Sequence, residues 1–356
     1  MEECRLRRRP YALIAGFALC AVTAAPTAFA ADPVADFYHG KTVHIVVGAA
    51  AGGGYDLVGR AIATRLGPHI PGNPNIVVEN MPSAGGLTMA NYLYNAAPKD
   101  GTMIGLPTNA TALEPSLKVL THAGGTANFD IAKFSWLGTA AQVPQVLFVW
   151  HTAGVETAQD LKATKVIMGA LSAGSDSYLL PTVMNKILGA KMQVVPGYEG
   201  QSDTFIAMER GEIQGHSDGF AGLVGQHPDW VRDKLVRILI QFGRERLPQL
   251  PDVPTAIELA TDPLDKDMLR FYSYKYDIAY ALIAPPGIPS DRVEALRNAF
   301  AETMQDPQYQ EAAQHIALPL NSLDSTAVTK IIDAIQSTPQ NVVDYTRQML
   351  VPKTAN

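Results

Sequence analysis

The apolar positions of this chain follow two alternating rhythms. Residues 41–47 form a short, nearly continuous apolar run, the pattern of a strand buried on both faces. In residues 56–66, Leu57, Val58, Ala61, Ile62 and Leu66 recur at helical spacing. The alternation continues with a strand at 75–79 ("NIVVE"), a helix at 86–96 and a strand at 102–106. It restarts with an apolar strand at 145–150 ("QVLFVW"), a strand at 165–170 and a helix at 175–188. Short strands at 192–195, 211–216 and 235–241 are separated by helical segments. A late strand is predicted at 277–284. It leads to a helix after Pro289 that Ser290 or Asp291 caps, then to a further helix over 323–350. The alternate aromatics of "YSYKY", 272–276, read as a half-buried strand or loop.

Strands that alternate with helices predict parallel pairing and sheets covered on both faces. The fold class is therefore α/β, with two lobes: residues 31–140 together with 265–356, and residues 141–264. Loop-rich stretches near 138–145 and 248–276 are the predicted crossovers.

The N-terminus follows a different pattern. Arg5, Arg7, Arg8 and Arg9 precede an apolar stretch over 11–25, and Ala28-Phe29-Ala30 is an A-x-A site. That order predicts a signal peptide, residues 1–30, cleaved after Ala30, and hence a periplasmic or extracellular protein. Cleavage would leave 326 of the 356 residues and remove both cysteines, Cys4 and Cys20. The remaining chain has no disulfide or thiol chemistry open to it. Losing four arginines and two glutamates shifts the net charge from −6 to about −8. An acidic exported protein is a poor partner for nucleic acid or an anionic membrane. No second apolar run approaches 18 residues.

The candidate chemistry lies where strands meet helices. "VVGAAAGGGYDLVGR", 46–60, places Gly52, Gly53 and Gly54 at a strand-to-helix junction. In parallel sheets ligands bind beyond the carboxyl ends of strands, and the first N–H groups of a helix favour an anion. A carboxylate or phosphate fits such a turn; a tight turn without a ligand is the bland alternative. The nucleotide-binding patterns fail here. Tyr55-Asp56 follows the glycines where a P-loop needs Lys-Ser/Thr, and Leu57 stands where a dinucleotide fingerprint needs its third glycine. Small-residue turns recur in "NMPSAGGLT", 80–88, and "GALSAGSDSYLL", 169–180. Ser175 and Ser177 also fit as ordinary N-caps. Asp56 reads as a cap that holds the first turn, or as an acceptor for an amine-bearing ligand.

These motifs resemble those of the tripartite tricarboxylate transporter substrate-binding proteins, the TctC or Bug family. The family's P-G-G-G-x-D-x-x-x-R matches residues 51–60, and V-V-E-N-x-x-G-A-G-G matches 77–86. Similar matches are "AAPKDGTMIG" (96–105), "GYEGQ" (197–201), "LPQLPDVPTAIELA" (247–260) and "ALIAPPGIP" (281–289), all in family order. The resemblance implies a two-lobed periplasmic binding protein fold of type II character. It also implies capture of a small carboxylate by main-chain N–H groups, hydroxyls and water, and delivery to a membrane permease. Departures fall on the turns expected to face the ligand. Ala51 replaces the usual proline, Tyr55 a small hydroxyl residue and Ser83 a glycine, and one residue is added before Lys99-Asp100.

The expected site comprises Ala51, Gly52, Gly53, Gly54, Tyr55 and Asp56, with Ser83, Ala84, Gly85 and Thr88 from the second turn. Thr108 and Asn109 come from the third strand's end, and Ser172, Gly174, Ser175, Tyr198 and Asp218 from the second lobe. Di- and tricarboxylates, aromatic carboxylates and amino acids are all open as guests of a monomer expected to need no cofactor or metal. A ligand sensor without transport is a second reading. A third is an exported esterase. "GHSDG", 215–219, fits G-x-S-x-G, with Ser217 as nucleophile, Asp252 or Asp277 as acid and His315 as base.

Overall fold

The computed structural model describes Met1 and residues 32–118 and 126–350. The signal-peptide reading, its cleavage site, Cys4 and Cys20 lie outside these residues. Two mixed sheets organise the chain, and both lie in one unit that begins at Pro33. In the six-stranded sheet, β1 (Thr42–Val47) pairs in parallel with β2 (Asn75–Asn80) and β3 (Met103–Leu106). β4 (Ser135–Thr139) joins this sheet from further along the chain. The five-stranded sheet contains β5 (Gln145–Trp150), β6 (Val166–Ala170), β7 (Met192–Pro196), β8 (Gly215–Gly219) and β9 (Val236–Phe242), in the order β7-β6-β8-β5-β9. The chain then returns to the first sheet as β10 (Ala281–Ala284) and β11 (Leu323–Asp324), which completes the order β11-β4-β10-β3-β1-β2.

The expectation of parallel pairing holds for β1 with β2 and β3, and for β6 with β7 and β8. It fails elsewhere: β10 is antiparallel to β3 and β4, and β5 is antiparallel to β8 and β9. Parallel neighbours need a helical crossover. The link from β4 to β5 is only residues 140–144 and carries the chain from one sheet to the other without a helix.

The main helices are α1 (Pro33–Tyr38), α2 (Gly54–His69), α3 (Leu87–Asn95), α4 (Asp176–Leu188), α5 (Gln201–Glu209) and α6 (Phe220–Gln226). They continue as α7 (Pro263–Asp277), α8 (Ser290–Gln305), α9 (Pro307–His315), α10 (Ser325–Gln336) and α11 (Gln340–Leu350). Val58, Ile62 and Leu66 of α2 pack with Ile45 of β1 and Phe300 of α8 in one core cluster. Phe148, Phe205 and Trp230 form another beneath the second sheet.

Several predicted boundaries move. "YSYKY" lies within α7, with all of it but Tyr274 buried, so the strand expected over 277–284 shortens to β10. Aromatics at 272 and 276 are four apart and share a helix face as readily as a strand face. The strand expected over 211–216 is β8, at 215–219. Gly211 has φ +74 and ends the turn after α5, which delays it. The helix expected over 323–350 breaks into β11, α10 and α11 before Pro339, which lacks the N–H a helix interior needs. Neither Ser290 nor Asp291 caps α8; Pro289 holds the N-cap position and Ser290 is already helical.

Candidate functional site

The loops after β1, β2 and β3 meet at one edge of the first sheet. Gly52 has φ +81, a conformation glycine adopts without the Cβ clash other residues meet. Its N–H donates to Asp56 Oδ2 at 2.9 Å, and Arg60 Nε reaches the same oxygen at 2.9 Å. Asn80 Nδ2 donates to the Ala49 carbonyl at 3.0 Å. Asp56 is thus buried and committed to the turn; Arg60 first, then the Gly52 N–H, hold its carboxyl down to about 2. Gly53 is the N-cap of α2 with no side-chain cap, so the first N–H groups of the helix have no intrahelical partner.

The second turn bends through Ala84, Gly85 and Gly86, with φ of 47°, 65° and 97°. A Cβ on Gly86 would lie 3.0 Å from the Thr108 side chain and 3.2 Å from the Gly48 carbonyl, so close packing requires glycine there. Thr108 Oγ1 donates to the Gly85 carbonyl at 2.6 Å, which ties the second turn to the third strand's end. The Asn109 N–H donates to the Tyr55 hydroxyl at 2.8 Å, and the Tyr55 ring leans on Tyr280 at a centroid distance of 4.9 Å. Burial pushes the Tyr55 hydroxyl well above its ordinary value.

The turn before α4 is closed by its own residues. Ser172 N–H donates to Ser175 Oγ at 3.3 Å, and Ser175 Oγ donates to the Ser172 carbonyl at 2.7 Å. Leu171 N–H donates to Ser177 Oγ at 3.1 Å. Asp176, in the first turn of α4, receives Tyr272 Oη and Lys275 Nζ, each at 2.7 Å. Lys275 Nζ lies 4.0 Å from the Tyr272 ring centroid. Burial lowers the Lys275 ammonium from its ordinary value, against the raising effect of Asp176.

A cleft of about 510 Å³ brings residues of both sheets together. Gly54, Tyr55 and Asn109 enter it from the first sheet, and Gln145, Gln201 and Asp218 from the second, with Tyr280 from the segment before β10. Asp218 is buried at the end of β8. Its Oδ1 accepts from the Gly219 N–H at 2.7 Å and from Gln201 Nε2, while Oδ2 has no partner. Burial pushes this carboxyl up to about 7, although the Gly219 and Gln201 donors pull the other way.

Of the residues expected from sequence, Gly54, Tyr55, Asn109 and Asp218 line the cleft. Ala51, Gly52, Gly53 and Asp56 shape the turn behind it, and Ser83, Ala84, Gly85, Thr88 and Thr108 are outside its lining. Ser172, Ser175 and Tyr198 are also outside it, and Gly174 lines a separate cavity of about 60 Å³ beside Lys275. Gln145, Gln201 and Tyr280 were not anticipated. Gln201 closes the quoted "GYEGQ", but nothing local marked it out.

The esterase geometry does not form. Ser217 sits within β8 rather than at a strand-to-helix elbow, is buried, and donates Oγ to the Val146 carbonyl at 3.1 Å. No hydrogen bond links it to His315, Asp252 or Asp277 among the described residues. Asp277 pairs with Arg244 at 2.5 Å, and the His315 side chain is 77% exposed. Among the described residues no helix is long and apolar enough to cross a membrane.

Residues 60–344 match the "Tripartite tricarboxylate transporter family receptor" family, TctC. The UPF0065 protein in gbd 5'region of Cupriavidus necator is 26% identical over 317 residues, covering 86% of this chain and 88% of that protein. Among solved structures, a TctC solute binding protein from Polaromonas superposes with a TM-score of 0.66. It shares 18% identity over 87% of this chain and 98% of its own. MatC from Rhodopseudomonas palustris, solved with bound malate, gives a TM-score of 0.55 at 21% identity over 87% of this chain and 99% of its own. This chain belongs to the TctC family of periplasmic solute-binding receptors.

Proposed function

We propose that the protein captures a small carboxylate-bearing solute in the cleft and presents it to a membrane permease of tripartite type. The observation that carries this reading is the start of α2. Its first-turn N–H groups have no intrahelical partner, and its Gly54 and Tyr55 line a cleft that residues of the other sheet complete. Each charge-assisted N–H bond to a carboxylate contributes about 1.5–3 kcal/mol. The malate held by MatC supports a carboxylate as the guest class.

The sheets supply the lobes in this reading. Residues 31–140 with 265–356 carry the first sheet and residues 141–264 the second, with hinges at 140–144 and after β9. Hinged closure would trap the solute and exclude water. Export by a signal peptide over residues 1–30 places the receptor in the periplasm, and mass spectrometry of the exported protein should find Ala31 as the first residue. A thermal-shift screen against small carboxylates tests the central claim. A guest at 100 times its dissociation constant adds about 2.7 kcal/mol. If only neutral sugars raise the melting temperature, the reading is wrong.

A further inference from the structure

We infer that the cleft selects a solute carrying an ammonium group as well as a carboxylate, the ammonium donating to Asp218 Oδ2. This rests on the carboxylate capture proposed above and specifies the guest further. Asp218 is 7% exposed and lines the cleft, yet only one of its carboxylate oxygens is satisfied. A buried carboxylate oxygen without a donor is costly, so a donor from the guest is the missing part. Oδ2 is covered, and its neighbour on the α6 side is a glycine. Gly222 has no side chain, and a Cβ there would lie 3.4 Å from Oδ2.

The cleft's charge inventory points the same way. Among the described residues that line it, Asp218 and His315 are the only ionisable groups apart from the tyrosines, and none is Lys or Arg. A dicarboxylate would bring its second negative charge into a cleft with no cationic side chain and with an acid already present, where like charges oppose one another. A zwitterion instead sets its carboxylate on the start of α2 and its ammonium on Asp218. The acid at the start of α4 does not compete for that role, because Lys275 and Tyr272 already occupy Asp176. Asp56 also has one oxygen without a donor, Oδ1, but it lies in the turn behind the cleft rather than in its lining, and Arg60 and the Gly52 N–H hold its Oδ2.

Isothermal titration of the purified protein with matched pairs tests this: L-glutamate against glutarate, L-aspartate against succinate, and 4-aminobutyrate against butyrate. We expect the amino-bearing member of at least one pair to bind about tenfold tighter or more than its partner. Asp218→Asn, which keeps the shape and removes the charge, should bring that ratio close to one. N-acetyl-L-glutamate, which keeps both carboxylates but loses the ammonium, should bind the unaltered protein no better than glutarate; this arm needs no variant. Dicarboxylates that bind as tightly as their amino partners would overturn the inference and leave carboxylate capture standing. A preference that survives Asp218→Asn would overturn it as well. If no member of either series binds, both the inference and the capture reading fall.

Discussion

At the start of α2, small residues and an acid precede a helix, and the helix end opens onto the cleft. At the start of α4, small residues and an acid again precede a helix, but there the preceding turn is bonded by its own serines and the acid is held by a tyrosine and a lysine. The two acids account for much of the difference. Asp56 turns back to hold Gly52 and Arg60, both within four residues, and leaves Gly54 and Tyr55 facing the cleft. Asp176 turns away to meet Tyr272 and Lys275 of α7, nearly a hundred residues later. The same kind of local sequence thus leaves a helix start on a cleft wall in one place and ties it into a structural joint in the other. A glycine- and serine-bearing bend before a helix licenses binding but does not establish it; the nearest long-range neighbour decides.

The largest expected effect breaks the closed joint. Lys275→Ala would remove a buried ammonium, leave the half-buried Asp176 carboxylate without its cation, and should destabilise the protein by about 3–5 kcal/mol in urea unfolding. Adding Asp176→Ala should recover part of that loss. A cost under about 1 kcal/mol would mean the joint is not what closes α4.

Asp218→Asn probes the open side, with the opposite sign. The folded-state value of Asp218, about 7, lies above its ordinary 3.8, so between these limits the folded state holds a proton that the unfolded chain lacks. The penalty of burying the carboxylate is full above pH 7 and is relieved as pH falls toward 4. The variant should therefore be more stable than the unaltered protein by about 2–4 kcal/mol at pH 8, with the gain shrinking toward zero at pH 4. The groups nearest Asp218 are the Gln201 amide, Gly222 and the Tyr280 hydroxyl, which burial raises further, and His315 shares the cleft lining. Melting curves at pH 8, 6 and 4 check the trend, and a gain that does not vary with pH would refute it.

Smaller changes sharpen the picture of the open side. Tyr55→Phe removes the acceptor of the Asn109 N–H and should cost about 1–2 kcal/mol in chemical denaturation. Gly52→Ala meets nothing within 4 Å, so only its left-handed backbone opposes the change. The expected cost is about 1 kcal/mol in the same assay, together with weaker carboxylate binding as the turn shifts.

Much of the fold was written locally. The apolar runs at β1, β2, β3, β5 and β6, and the helical spacing of Leu57, Val58, Ala61, Ile62 and Leu66, needed only neighbours a few residues away. The glycine turn before α2 was legible for the same reason: φ +81 at Gly52 is a property of the chain itself. What failed was non-local. Tyr272 and Tyr276 suited a strand face and a helix face equally, and only packing in the α7 region chose the helix.

The sequence by itself determined the family, the alternation of strand and helix, and the bends that expose main-chain donors, because periodicity, φ preference and motif order are encoded over short spans. Only the tertiary structure decided which bends face a common space, that Lys275 silences the start of α4, and that Asp218, Gln145, Gln201 and Tyr280 converge on the cleft. Those outcomes depend on distances between residues far apart in the chain, and burial and charge pairing act through distance rather than through order.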